Sequence, residues 1–308
     1  MYLSSITANI LNKFNNQNIN VLYEPQRNLF DIFLAECGYT LYFDSKFGIQ
    51  SINKTNMVGI NDIQMNLFNY NVGITNNIIN YASNKVFSNL HLNAIIFTHS
   101  YRPKGIKKED LLLMSNNLSK EQKVFFSQDA ADSWNFLSNK TVIKYGIPLD
   151  MLSSETPFTD RNDKILLLNF ESTGQAESIA NLIESNGLKV DLIKDITGDI
   201  NAVRELFNRY KVVIDFNDHN VVNLLAAVSC GCKCIAYMSD MIVQDYSSVP
   251  NLFMAKSVQD LISISKNCIS DSKIIEPKSY IEENYNFNTF KTNIKTIVEK
   301  SNNEAFIL

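Results

Sequence analysis

The chain has 308 residues, with 28 Lys and Arg against 32 Asp and Glu, so its formal net charge is −4. That length exceeds one typical domain and suits two of about 150 residues each. The mildly acidic balance gives no general drive toward nucleic acid or an anionic membrane surface.

The opening stretch MYLSSITANILNKFNNQ lacks the basic start and unbroken apolar core of a signal peptide, so no secretion signal is expected. An apolar run at 19–24 predicts a strand. Residues 28–39 follow with helical spacing at Leu29, Phe30, Phe33 and Leu34, and 40–43 read as the next strand. Strand patterns recur at 71–75, 92–100, 123–127 and 141–148. Helical patterns lie after 75, at 108–119 and at 128–137, where Trp134 reads as core. This alternation is what a parallel α/β sheet requires.

Residues 149–163 break the pattern with a proline, several hydroxyl side chains and no apolar period, which predicts a linker. A second series follows: strands at 164–170, 189–195, 211–216 and 232–237, with helices at 173–187, 200–210 and 220–231. Gly231 reads as the C-terminal cap of the last of these. Helices are then expected at 257–269 and 279–301. The most apolar stretch, 221–238, is interrupted by Asn223, Ser229, Gly231 and Lys233, too polar for a membrane span. The expected organisation is an N-terminal Rossmann-like domain over 1–150, a second over 160–278, and a final helix with tail over 279–308. The two domains should face each other across a cleft.

The segment AAVSCGCKCIAYMSD sets Cys230, Cys232 and Cys234 at alternate positions around Gly231. Structural zinc sites favour Cys-x-x-Cys pairs or Cys with His, and this spacing fits neither. A metal or redox site competes with buried thiols at a helix end and on a strand, and the second reading suits the pattern better. Five cysteines, an odd number, point to a reduced, cytoplasmic chain.

Read as helix, glycine and strand, LLAAVSCGCKCIAY resembles the donor-binding segment of GT-B glycosyltransferases. VVIDFNDHN occupies the place of the preceding strand and loop, VPNLFMAKSVQDLIS that of the following strand and helix. YNFNTFKTNIKTIVEK resembles the family's final helix, which crosses back to the first domain. VFFSQDAADSWNF, TVIKYGIPLDM, FLAECGYTLYF and IIFTHS resemble segments of its acceptor domain. The small GT-B-like proteins of phages and large viruses look nearest. The resemblance implies transfer of a sugar from a nucleoside diphosphate sugar to a hydroxyl on a glycan, a protein or a modified phage DNA base, with neither cofactor nor metal. A binding protein of the same shape without activity, and a sugar-nucleotide epimerase, are the alternatives.

Many retaining members carry two Glu eight positions apart. Here the first place falls on Asp218, which keeps a carboxylate beside the transferred sugar. The second falls on Ala226, which holds nothing, and Asn223 one turn earlier offers a ribose contact instead. Where the family sets Arg and Lys against the diphosphate, this chain reads NFESTGQAES. The backbone N–H groups from Thr173 through Gly174 to Gln175 offer a phosphate seat at a helix start, with Glu171 opposing it. His219 and Asn220 complete the expected donor side. His99, at a strand end, is the candidate base for the acceptor hydroxyl. Arg27 and Lys104, the latter in the basic loop YRPKGIKKED, are candidates for acceptor or phosphate binding.

Overall fold

A computed structural model describes residues 20–23, 29–44, 57–60, 72–75, 93–98, 107–168, 174–193, 199–215, 221–237 and 246–305. The first part of the chain forms β1 (Asn20–Tyr23), α1 (Leu29–Ala35), β2 (Thr40–Asp44), β3 (Met57–Ile60), β4 (Val72–Thr75) and β5 (Asn93–Thr98). It continues with α2 (Lys108–Asn117), β6 (Gln122–Phe125), α3 (Gln128–Ser133) and β7 (Lys140–Val142). These strands make a seven-stranded sheet in the order β3-β2-β1-β4-β5-β6-β7. Every pairing in it is parallel. The apolar positions read as the inner face of α1, Leu29, Phe30, Phe33 and Leu34, are all fully buried. The helix expected after residue 75 lies outside the described residues.

The second part forms β8 (Asn162–Leu168), α4 (Gly174–Ser185), β9 (Val190–Ile193), α5 (Ile200–Asn208), β10 (Tyr210–Asp215), α6 (Val222–Ser229), β11 (Lys233–Tyr237), β12 (Leu252–Ala255) and α7 (Val258–Ser270). Its five strands run β12-β11-β10-β8-β9, again all parallel. Asp199 caps α5 by accepting from the Asn201 and Ala202 amides, and Ser257 caps α7 by accepting from Asp260. The chain is thus α/β, with two Rossmann-like domains built on parallel sheets.

Three expectations need correction. β3 was not anticipated: its four residues MVGI show too little alternation to stand out, and only the β2 edge gives them a partner. The strand expected over 141–148 is regular only to Val142, and Ile147 returns as an isolated bridge to Asn286. The single helix expected over 279–301 is two, α8 (Lys278–Asn284) and α9 (Phe287–Ala305). The break has a local cause. Tyr285 leaves helical geometry, and the Asn286 side chain then accepts from the Thr289 amide, starting a new helix.

α9 packs on β5 and β4 of the first sheet. Ile294 and Val298 are fully buried, Ile297 nearly so, and Phe290 sets its ring edge against Phe30. One apolar cluster runs from Val21 and Phe97 in the first sheet through Tyr145 and Phe290 to Val213 and Cys234 in the second. α6 lies inside this cluster, packed on β10 and β11 and touching α1. All eight of its residues are buried, as an apolar surface on every side requires.

The far end of α6 is held by Arg161, itself almost fully buried. Its guanidinium donates to the carbonyls of Thr156 and Cys230, to Ser154 Oγ, to Asn208 Oδ1 and, at 3.6 Å, to Cys232 Sγ. The linker therefore ends in a latch that ties β8, α5 and the C-terminus of α6 together. A cation at that terminus also meets the negative end of the helix.

Candidate functional site

In an open parallel sheet, ligands settle beyond the C-terminal strand ends where the winding direction reverses. The first sheet reverses between β1 and β4, the second between β8 and β10. Most of the sequence candidates follow strands at these reversals, and two follow the neighbouring β5. Arg27 follows β1, His99 and Lys104 follow β5, Glu171 and Thr173 follow β8, and Asp218, His219 and Asn220 follow β10. All eight lie outside the described residues. Gly174 is the first residue of α4.

The strand ends themselves are described. Thr75, Thr98 and Asp215 close β4, β5 and β10, and all three are buried. Polar side chains at the last position of apolar strands are costly unless bonded. Thr98 Oγ1 has no hydrogen-bond partner among the described residues. Asp215 accepts from Asn223 Nδ2 at 3.1 Å.

Asn223 was expected at the cleft surface, and here the structure differs. Its side chain is fully enclosed within α6, because that helix is wrapped by its own sheet and by α1. The amide spends one N–H on Asp215, while Oδ1 has no partner among the described residues. Ala226, the place of the second family Glu, is equally buried. Sequence reading passed over Asp215, although an acid closing the run VVID was the signal available.

The cysteine segment resolves as thiols in the core. Cys230, Cys232 and Cys234 are fully buried and free. Cys232 Sγ donates to the Phe207 carbonyl at 3.1 Å and Cys234 Sγ to the Leu224 carbonyl at 3.5 Å. Burial pushes the Cys232 thiol up to about 12 despite the nearby Arg161, and moves Cys230 and Cys234 well up too. Such thiols are poor nucleophiles and poor metal ligands. No group of three or more His, Cys, Asp or Glu that could hold a metal ion occurs among the described residues. No helix among them is long and apolar enough to cross a membrane.

No family model matches the chain, and no curated protein matches it in sequence. Solved structures do match in shape. A sucrose-phosphate synthase from Thermosynechococcus elongatus superposes with a TM-score of 0.65 at 9% identity, covering 92% of this chain and 99% of that one. Anabaena HepE, solved in complex with UDP and glucose, gives 0.66 at 10% identity over 92% of this chain and 100% of its own. The fold is GT-B. A UDP-GlcNAc 2-epimerase from Methanocaldococcus jannaschii, solved with UDP-GlcNAc and UDP, shares this GT-B shape with a TM-score of 0.54 at 9% identity, covering 92% and 100% of the two chains. At these identities the likeness establishes the GT-B architecture and nothing finer.

Proposed function

We propose that the chain is a glycosyltransferase that moves a glycosyl group from a nucleoside diphosphate sugar to a hydroxyl acceptor. The observation that carries this is the placement of the candidate residues. Asp218, His219 and Asn220 follow β10, and Glu171 and Thr173 follow β8, the two strands that flank the reversal of the second sheet. Ligands of open parallel sheets settle at such a reversal, and HepE, which shares the fold, is solved with UDP and glucose.

In this reading the backbone amides from Thr173 to Gln175, at the start of α4, receive the diphosphate. Asp218 and Asn220 hydrogen-bond the transferred sugar, and His219 contacts sugar or phosphate. His99 takes the proton from the acceptor hydroxyl. Arg27 and Lys104 bind the acceptor or its phosphate, the acceptor being a glycan, a protein or a modified DNA base. Leaving-group charge is stabilised by helix N-termini and side chains without a metal or cofactor. The residues 1–150 then serve the acceptor, 160–278 the donor, and 279–308 join the two.

The test is a panel of UDP-, GDP- and ADP-sugars read by thermal shift and by sugar release. Stabilisation with slow release of free sugar is the expected result. Conversion to an epimer would make the chain an epimerase. Absence of any stabilisation would make it a binding protein, a reading favoured by the buried Ala226. Asp218→Asn should lower donor-saturated turnover about a hundredfold, the loss of a contact worth about 3 kcal/mol in the transition state. Unchanged turnover in that variant would move the site elsewhere.

A further inference from the structure

Apart from Asn223 and Ser229, α6 carries only apolar side chains, and all eight of its residues are buried. Apolar packing is non-directional, and a core of that kind loses a unique arrangement sooner than it loses stability. The strong directional bonds that reach α6 from outside lie at its two ends. At the start, Asn223 Nδ2 donates to Asp215 at 3.1 Å. At the end, Arg161 Nη2 donates to the Cys230 carbonyl at 2.7 Å. Arg161 is almost fully buried, yet meets no carboxylate within ion-pair distance among the described residues. An unpaired buried charge is costly, so the latch is a poor device if stability is its whole purpose. It does leave little slack. Asn208, which also bonds Arg161, accepts from the Glu155 and Thr156 amides and donates to the Ser153 carbonyl. Gly231 closes against Ser154 and Arg161 with no room for a Cβ.

We infer that Arg161 is a positioning residue for the proposed donor segment. It fixes how far α6 stands along its own axis, and with it the point where the segment holding Asp218, His219 and Asn220 joins the helix. The helix is about 12 Å long, so Arg161 acts from its far end and touches no substrate. The inference rests on the glycosyltransferase reading and deepens it. That reading gives the diphosphate chiefly to the start of α4 and the sugar to the segment ahead of α6. Arg161 therefore governs the part of donor affinity that comes from the sugar, and leaves alone the part that comes from the diphosphate.

The probes are UDP-, GDP- and ADP-glucose, each with its bare diphosphate, titrated calorimetrically against the full chain. Arg161→Met keeps much of the side chain's length and removes the fork. It should weaken the sugar nucleotide that the wild type binds about tenfold, an ordinary size for coupling between separate sites. The affinity of the matching diphosphate should stay as it was. Arg161→Lys restores the charge without the fork and should recover part of the loss. Ile297→Ala, on α9 and away from the latch, should lower the melting temperature and change neither affinity. A latch that served stability alone would put Arg161→Met beside Ile297→Ala, and that result overturns the inference. So does an equal loss for sugar nucleotide and diphosphate. If Arg161→Met does not fold, Gly231→Ala crowds the same latch and must show the same selective loss, its absence being equally fatal. A wild type that binds none of the probes fails the functional reading first, and the inference falls with it.

Discussion

Lys123 has no exposed surface, and its ammonium group donates to the Leu118 carbonyl at the end of α2. Burial pulls its pKa down from 10.5 to about 8, against the opposing pull of Glu121. With the folded value below the unfolded one, the unfolded chain binds more protons between pH 8 and 10.5. The penalty of burying Lys123 is therefore complete below pH 8 and is relieved as pH rises through that window. Lys123→Met should stabilise the protein at pH 7 by on the order of 2 kcal/mol. Urea midpoints should show that advantage shrinking by pH 10. The buried thiols act in the opposite sense. Cys232 is raised from 9.0 to about 12, so its contribution is intact below pH 9 and falls by about 1.4 kcal/mol per unit above it. Cys232→Ala should show a shallower alkaline decline than wild type. Gly231, which caps α6, combines φ of +81° with crowding: an added Cβ would sit 2.8 Å from Ser154 Oγ and 3.1 Å from Arg161 Nη2. Gly231→Ala should cost about 2 kcal/mol or more, visible as a lowered melting temperature. The glycine was legible in the sequence as a cap. Its second duty was not, because Ser154 and Arg161 reach it from a stretch that sequence shows only as linker.

At the scale of elements, α9 ties the end of the described chain to the first sheet. Phe290 is 1% exposed and reaches Phe30 across the interface with the first sheet. Phe290→Ala should cost about 3–5 kcal/mol by chemical denaturation. Gly146 lies directly against it, since a Cβ there would come 2.3 Å from Phe290 Cβ and 2.9 Å from Phe287 Cα. Gly146→Ala should therefore destabilise by overpacking. The double variant with Phe290→Ala should cost less than the two single changes added together, because the smaller side chain makes room. Additive costs would show that the strand exit and α9 do not press on each other in solution. The apolar face of α9 was legible, Ile294, Ile297 and Val298 falling at helical spacing. Its start was not. Period alone runs straight through Tyr285 and Asn286, and only the side-chain cap on the Thr289 amide reveals the new beginning. β3 was hidden for the converse reason: four residues carry no period, and a parallel edge strand is defined by its neighbour rather than by itself.

For the whole molecule, two sheets share one apolar cluster that includes α6 and α9. Separate cores would melt separately, whereas a shared one couples both sheets to every packing defect. Calorimetry should record a single transition, and two resolved transitions would mean that the contact between the sheets is weak. The α/β alternation could be read from pattern, whereas the crossing of the chain end was implied by resemblance and by no period of its own. The proposed donor residues could be read only as chain positions. Asp215 and Asn223 meet where β10 ends and α6 begins, a buried contact that the apolar pattern on either side does not announce.

The covering of β4 and β5 by α9 has a consequence for synthesis. These strands are made before residue 100, but the helix that shields them spans Phe287–Ala305. While the intervening chain is still being translated, the face formed by Val72, Ile74, Ile95 and Phe97 lacks its permanent cover. The first sheet can pair as it emerges and α1 can set Phe30 against Phe97, yet the part of this face that α9 covers waits for roughly 190 further residues, about ten to forty seconds at typical elongation rates. Folding order thus runs against chain order. The nascent protein must hold a sticky surface in reserve until nearly its last turn of helix arrives, and slower elongation over the second half would lengthen that exposure rather than assist folding.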